Sequence, residues 1–326
     1  MLSHYQSGGS LRRVGLAVTS ALLMLVVSLF VLQLNAEAKR VKGGPGCGGT
    51  LASKLAEVED GDVLELLVRP DPWPSDGAVI TKNVLIEGGW ELVITTTCTL
   101  SDTFDTSGST FVWPTKRSNL GHFTDTVATI DPSVVSLTIR YVDIQHTGSG
   151  AAQGGGINGV ISNSARVLLD SVVITNSEST GAGGGLYLEV RGGSQLILSG
   201  TQIISNSAGT SGGGFEIHVF DNSQVIMQNT QISSNTTTSG NGGGGRIVIH
   251  SGSVTLANSA FFANQANGGS GGGLSVEGVG AGPAYLILQN TVISDNLATI
   301  SDDNLHISGT VTVLDKPIFL PLVFKN

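Results

Sequence analysis

The sequence predicts an all-β solenoid: a single-stranded parallel β-helix with three short strands per coil and a short N-terminal capping helix. Three observations predict it. Glycine triplets recur at Gly154-Gly155-Gly156, Gly183-Gly184-Gly185, Gly212-Gly213-Gly214, Gly242-Gly243-Gly244 and Gly271-Gly272-Gly273, 29 or 30 residues apart. Between them an aliphatic or aromatic residue stands three before an Asn, at Val173…Asn176, Ile203…Asn206, Ile232…Asn235, Phe261…Asn264 and Ile293…Asn296. Between these marks apolar residues alternate with others: Leu186, Leu188 and Val190 around Tyr187 and Glu189, then Leu196 and Leu198 around Ile197. A fixed period of this size means repeats that bury their apolar faces against their neighbours. Alternation makes the repeats strands, with every second side chain inside.

The bulk composition agrees with one repetitive body. Of 326 residues 46 are Gly, only 13% are charged and 40% are hydrophobic, and the formal net charge is −9. The patterned apolar fraction excludes disorder for the repeats. The acidic balance and the lack of a basic stripe argue against nucleic acid as a partner.

The elements follow in chain order. Arg12 and Arg13 precede an uncharged stretch from Val14 to Leu34, and Ala36-Glu37-Ala38 supplies a small-x-small cleavage pattern. Residues 1–38 therefore predict a signal peptide. Its length also permits an uncleaved anchor, the one route by which this chain would hold a membrane. Either way the body is exported, to the cell surface or beyond. Residues 39–50 are Gly-rich and predict a tether. Cys47 and Cys98 are the only cysteines. In an oxidising compartment they predict one disulfide, closing a loop of about 50 residues and contributing on the order of 4 kcal/mol; the alternative is two separate buried thiols. Leu51, Leu55, Ala56 and Val58 show helical spacing, so Ala52–Glu59 predicts the capping helix. Asp60-Gly61-Asp62 reads as a turn, 63–68 as the first strand, Pro70, Pro72 and Pro74 as an exposed loop, and 79–86 as further strand. Residues 99–133, irregular and rich in Ser, Thr and Asp, read as an insertion. The β-helix spans 51–315. The apolar tail 316–326 either covers the open end of the solenoid or acts as a sorting or anchoring signal.

Stacking the coils predicts two inward ladders: Leu137, Val167, Leu196, Val225, Val254 and Leu286, then Ile139, Leu169, Leu198, Met227, Leu256 and Leu288. Each step is one strand spacing, about 4.8 Å. Glycine suits turns with positive φ and no room for Cβ atoms. The column Asn176, Asn206, Asn235, Asn264 and Asn296 suits left-handed turns and hydrogen bonding along the stack.

The Gly-Gly phrase alternating with [Phe/Ile]-x-x-Asn over 136–300 resembles the repeats of the polymorphic outer-membrane protein family. The segment Leu51–Gly89 resembles the first coil of pectin-lyase-like β-helices, in its capping helix, its Gly-Asp turn, Ile80-Thr81-Lys82-Asn83 and Gly88-Gly89-Trp90. The resemblance implies a single-stranded right-handed parallel β-helix in a secreted or surface protein. The chain departs from the family in three ways: a third Gly replaces a small residue, Ile mostly replaces Phe, and no β-barrel sequence follows.

Pectin-lyase-like proteins often cleave acidic polysaccharides, so the resemblance makes a lyase or hydrolase one alternative. The residues that such a site would need do not cluster. Asp302-Asp303 is a lone acidic pair, Gly121-His122-Phe123 precedes it, and no Arg-x-Lys follows. The catalytic candidates are Glu189 and His218, 29 residues apart and so neighbours across one coil, as are Glu216 and Arg246; a carboxylate beside a His can do acid–base work. The other reading is a cross-strand pair on a wet face. His250 and His306 show no ligand spacing, two cysteines are too few for zinc, and no metal or cofactor is expected. For binding, Leu168, Ile197, Ile226 and Ile287 form an outward aliphatic stripe with Thr255 between them, a contact surface or one covered by a loop. Trp73, Trp90 and Trp113 form either a sugar-stacking platform or a capping core. The sequence thus points to a non-catalytic surface protein with an adhesive or structural role. Its alternatives are the polysaccharide-active enzyme and a non-catalytic glycan binder. The partners this leaves are a cell-surface glycan or another surface protein.

Overall fold

A computed structural model describes residues 40–43, 50–67, 73–74, 77–90, 118–122, 126–146, 148 and 150–315. The leader, Cys47, Cys98, Trp113 and the 316–326 tail lie outside the described residues, as does most of the 99–133 segment.

The chain forms a parallel β-solenoid. Among the described residues its strands fall into sheets of ten, eight, eight and five strands, each interior strand pairing with its counterparts one coil before and after. One coil runs Arg166–Asp170 in sheet 1, Val173–Thr175 in sheet 2, Glu178–Ser179 in sheet 3 and Leu186–Val190 in sheet 4. The two-residue strand of sheet 3 adds to the three strands expected, and is too short for alternation to announce it. Both predicted ladders form in register on sheet 1. Their members from Leu137 through Leu256 are buried. Each fully buried Leu, Ile or Val contributes about 1.5–3 kcal/mol.

The N-terminal part differs from expectation in detail. The helix covers Leu51–Leu55, with Thr50 as N-cap and a reciprocal bond with Ser53. It ends short of Glu59, with Ala56 as C-cap, and Val58 reaches the core from beyond the helix. Ser118–His122 and Ala128–Ile130 fall within the segment expected to be an insertion, yet they are strands of the stack, paired with Val142–His146 and with Ile157–Gly159. Ser118–His122 carries one apolar residue, Leu120, so it shows no alternation. Trp73–Pro74 is a strand as well, paired with Leu120–Gly121, where the prolines predict a loop.

The Asn column is a buried amide ladder with one member displaced. Asn206, Asn235, Asn264 and Asn296 are 1, 0, 1 and 3% exposed. Each Nδ2 donates to the next Oδ1, at 3.0, 2.9 and 2.8 Å, and Asn304 ends the chain of amides at 3.1 Å. Each Oδ1 also accepts the backbone N–H one coil before, and each Nδ2 donates to the carbonyl of Ile174, Ile203, Ile232 or Phe261. The backbone thus turns around amides that satisfy it from inside. Asn176 is exposed and one position early: it pairs in register with Ser205, and Ser177 occupies the ladder site. The left-handed conformation belongs to that earlier position, Asn176 (φ 47), Ser205 (57), Ser234 (57), Ala263 (54) and Asp295 (57). It therefore explains Asn176 and not the four buried amides.

The triplets have a matching geometry. Gly212 turns with φ +62, and a Cβ on Gly214 would lie 2.9 Å from the Asn235 amide carbon.

Candidate functional site

The chemistry-bearing side chains gather on the outer face of sheet 4. Alternation in Leu186–Val190 sends Tyr187 and Glu189 outward, and the same positions one coil on are Glu216 and His218, then Arg246 and Val248, then Ser275 and Glu277. Glu189 and His218 are therefore neighbours across one coil, and so are Glu216 and Arg246, as their spacing predicts.

Contact geometry divides these residues differently. Glu189 pairs with Arg191, two residues along its own strand direction. His218 turns to Glu216, with Nε2 2.9 Å from Oε1. Arg246 bridges two coils, donating from Nη1 to Glu216 at 3.0 Å and from Nη2 to Glu277 at 2.6 Å. Ser211, in the preceding turn, donates to the other oxygen of Glu216. Glu216 is the hub of the cluster and only 3% exposed, although it projects from the outer face. Burial alone would raise its carboxyl. Hydrogen bonds from His218 and Ser211 and the charge of Arg246 outweigh that and hold it below its ordinary range. Burial, then the nearby Glu216 charge, pushes the Tyr187 phenol up.

Beside this cluster runs a stack. The Arg191 guanidinium lies 5.3 Å from the centre of the Phe220 ring, and Phe220 and His250 stack at 4.1 Å with planes 12° apart. His218 lies 6.2 Å from His250 and 5.6 Å from Tyr187, ring centre to ring centre. Burial and the repulsion of His218 lower the His250 pKa, and Glu277 opposes them. The faces of Phe220 and His250 cover one another, so these rings make a cross-coil contact and not an open stacking platform. His306 bonds Asp302 at 2.6 Å, well along the stack from His218. Sequence spacing misses the Glu216–His218 bond, because it runs within a strand and not between coils.

Toward the N-terminus the same face holds an open cleft of about 300 Å³, lined by Gly77, Thr126, Thr129, Ala152, Gln153 and Asn158. Thr129, Asn158 and Tyr187 occupy one outward column, and Gln153 hydrogen-bonds the Tyr187 phenol. Its lining offers hydroxyl and amide groups and no charge.

The predicted stripe lies on sheet 1. Leu168, Ile197, Ile226, Thr255 and Ile287 pair in unbroken register, and Leu314 extends the row. Ile197 is 8% exposed, Leu314 38%, and the others lie between. Of the three Trp residues, Trp113 is outside the described residues; Trp73 and Trp90 lie in strands Trp73–Pro74 and Leu85–Trp90. Among the described residues no three His, Cys, Asp or Glu side chains form a metal-holding group, and no helix is long and apolar enough to cross a membrane. Comparison with protein-family models, with curated proteins and with solved structures returns no match.

Proposed function

We propose that this chain is an exported, non-catalytic surface scaffold that contributes adhesion or a structural layer. In this reading the coils wind right-handedly, as crossovers between parallel strands nearly always do. Three strands per coil form the walls, and the helix Leu51–Leu55 closes the N-terminal end, as the resemblance to polymorphic outer-membrane repeats and pectin-lyase-like proteins implies. One observation carries the functional reading: the acid–base candidates Glu189 and His218 are each tied to another side chain and not to one another. Glu216 holds His218, Arg246 and Ser211 together, and Glu189 holds Arg191. Such closed pairs support coil stacking more directly than proton transfer to a substrate. The test is to incubate the exported protein with acidic and neutral polysaccharides and assay for new chain ends. Unchanged polysaccharide is expected; turnover that disappears in Glu189→Gln or His218→Ala would overturn the reading.

The cleft favours a second reading, glycan binding without turnover. Its hydroxyl and amide lining matches an uncharged polyhydroxylated ligand. A glycan array with wild type and Asn158→Ala tests it: a bound neutral glycan lost in the variant supports this reading, and an empty array excludes it.

A further inference from the structure

We infer that the tail of this same chain, residues 317–324, folds back across the open C-terminal end of the solenoid and closes it as an apolar plug. The inference stands apart from the scaffold role, since a closed end serves whatever the coils do.

Apolar exposure gathers at that end. Val292–Ser294, Leu297–Ala298, Leu305–Gly309 and Thr312–Asp315 are the last described strands of sheets 2, 3, 4 and 1. On and between them Val292, Leu297, Ile300, Ile307, Val313 and Leu314 are all exposed. Two of these stand on inward ladders. Val313 is 41% exposed where Leu286, its partner one coil before, is 0%; Ile307 is 38% exposed where Val276 is 0%. The end coil of a solenoid, with its strand edges and its half-covered core, needs a cap.

Two residues stop another coil from supplying that cap. Tyr141, Ser171, Gly200, Asn229, Asn258 and Asn290 turn the chain from sheet 1 into sheet 2 with φ of 57, 54, 58, 51, 49 and 48°. Leu288 pairs with Asp315, so the residue in register with Asn290 one coil on is Pro317. A proline ring holds φ near about −65°, and the chain cannot enter sheet 2 by that turn. Asp315 itself takes the inward position that Leu288 holds one coil before. A further coil laid over it, from this chain or from a second copy stacked end to end, would bury a carboxylate. The repeat halts at 315–317, and the end is left for a segment that is not a coil.

The tail matches the end in polarity, length and charge. Pro317-Ile318-Phe319-Leu320-Pro321-Leu322-Val323-Phe324 is unbroken apolar sequence and starts two residues beyond the last strand. Extended, it reaches about 26 Å, whereas a five-residue wall strand such as Leu305–Gly309 is about 17 Å long. Pro321 cannot donate to a ladder, which suits a segment laid over an end and not paired within a sheet. The end carries Asp295, Asp302, Asp303 and Asp315, and the sequence from 279 to 315 holds no Lys or Arg. The tail brings Lys316 and Lys325, one on each side of the apolar run, and no acidic side chain. Opposite charge at the rim thus orients the plug.

Thermal melts of the purified full chain, of a chain shortened to end at Asp315 and of Phe319→Asp test the inference. Both changes should lower the melting temperature by at least about 3 °C. Val313→Lys supplies the coupling. It should lower the melting temperature of the full chain and affect the shortened chain less than half as much, because there the lysine meets water. Val79→Lys, exposed on the first strand of sheet 4, should act alike in both. Phe319→Asp leaves the backbone complete, so Val313→Lys can be read in that background if the shortened chain does not fold. Sedimentation velocity of the full chain should show a monomer. An intact and an altered tail that melt alike, as an exposed sorting or anchoring signal would give, would overturn the inference. So would strictly additive effects of Val313→Lys and Phe319→Asp, or multimers of the full chain, which would put another copy on the end.

Discussion

The ring of Phe215 occupies the space that a side chain on Gly245 would need. The two residues are paired in sheet 4, on adjacent coils and on the inward face. An ideal Cβ on Gly245 would collide with Cζ and Cε1 of the ring, and would stand 2.7 Å from Cε2. The neighbours in this column are Ile157, Leu186, Leu274 and Leu305. One oversized residue is thus matched by one with no side chain, which keeps core volume constant from coil to coil. Gly245→Ala should overpack the column and cost about 1–3 kcal/mol. Phe215→Leu should relieve that cost, so the double variant melts above Gly245→Ala alone. Thermal melts of the two singles and the double measure the coupling; strictly additive effects would refute the packing argument.

The amide ladder gives a second prediction. Removing the Asn235 side chain leaves the Asn206 N–H without the Oδ1 that accepts it and takes a donor from the Ile203 carbonyl and the Asn264 Oδ1. Buried groups left unpaired cost about 1–3 kcal/mol each. Asn235→Ala should therefore lower the melting temperature clearly, by more than Asn176→Ala, whose side chain is exposed. Equal effects at the two positions would show that the buried amides are not what holds the turn.

Much of this architecture is legible in the sequence, and the failures have physical causes. Leu196 and Leu198 alternate cleanly with polar or outward neighbours, so their ladders follow from spacing alone. Spacing misaligns Asn176 because Val172, Val173 and Ile174 are consecutive aliphatics. Counting back from an Asn selects Val173, whereas packing buries Ile174. Gly245 follows a glycine triplet, and nothing local marks it as the partner of Phe215 one coil away. At the candidate site, the 29- and 30-residue spacings reveal which residues lie side by side. They cannot reveal that Glu216 is buried, because that depends on Ser211 folding over it from a turn and on which neighbour each flexible side chain selects.

Two carboxylates of sheet 4, Glu216 and Glu189, should differ in what they contribute. Glu216 is buried and accepts three charge-assisted or hydroxyl bonds, so Glu216→Gln should cost about 1.5–3 kcal/mol. Glu189 pairs with an Arg191 whose side chain is 44% exposed, so Glu189→Gln should cost no more than about 1 kcal/mol. Chemical denaturation of both variants checks the order. A larger loss for Glu189→Gln would mean that the hub has been assigned to the wrong carboxylate.

Acidification should destabilise the solenoid in two stages. His250 has its pKa lowered in the fold, by burial and by His218, with Phe220 stacked on it and Glu277 opposing the shift. Its contribution is fully present above its ordinary value of 6.5 and is lost as pH falls through the lower native value. The Glu216 carboxyl is also depressed, so its contribution is present above the ordinary 4.5 and is lost below it. In both cases the unfolded chain binds the proton more readily, so stability rises with pH through each window. Melting temperatures between pH 7 and pH 3 should fall first below about 6.5 and again below about 4.5. His250→Phe should remove the first step and leave the second, and Glu216→Gln should do the reverse. A melting temperature that stays level, or rises, as pH drops from 7 to 5 would contradict the assignment of His250 to a neutral, stacked role.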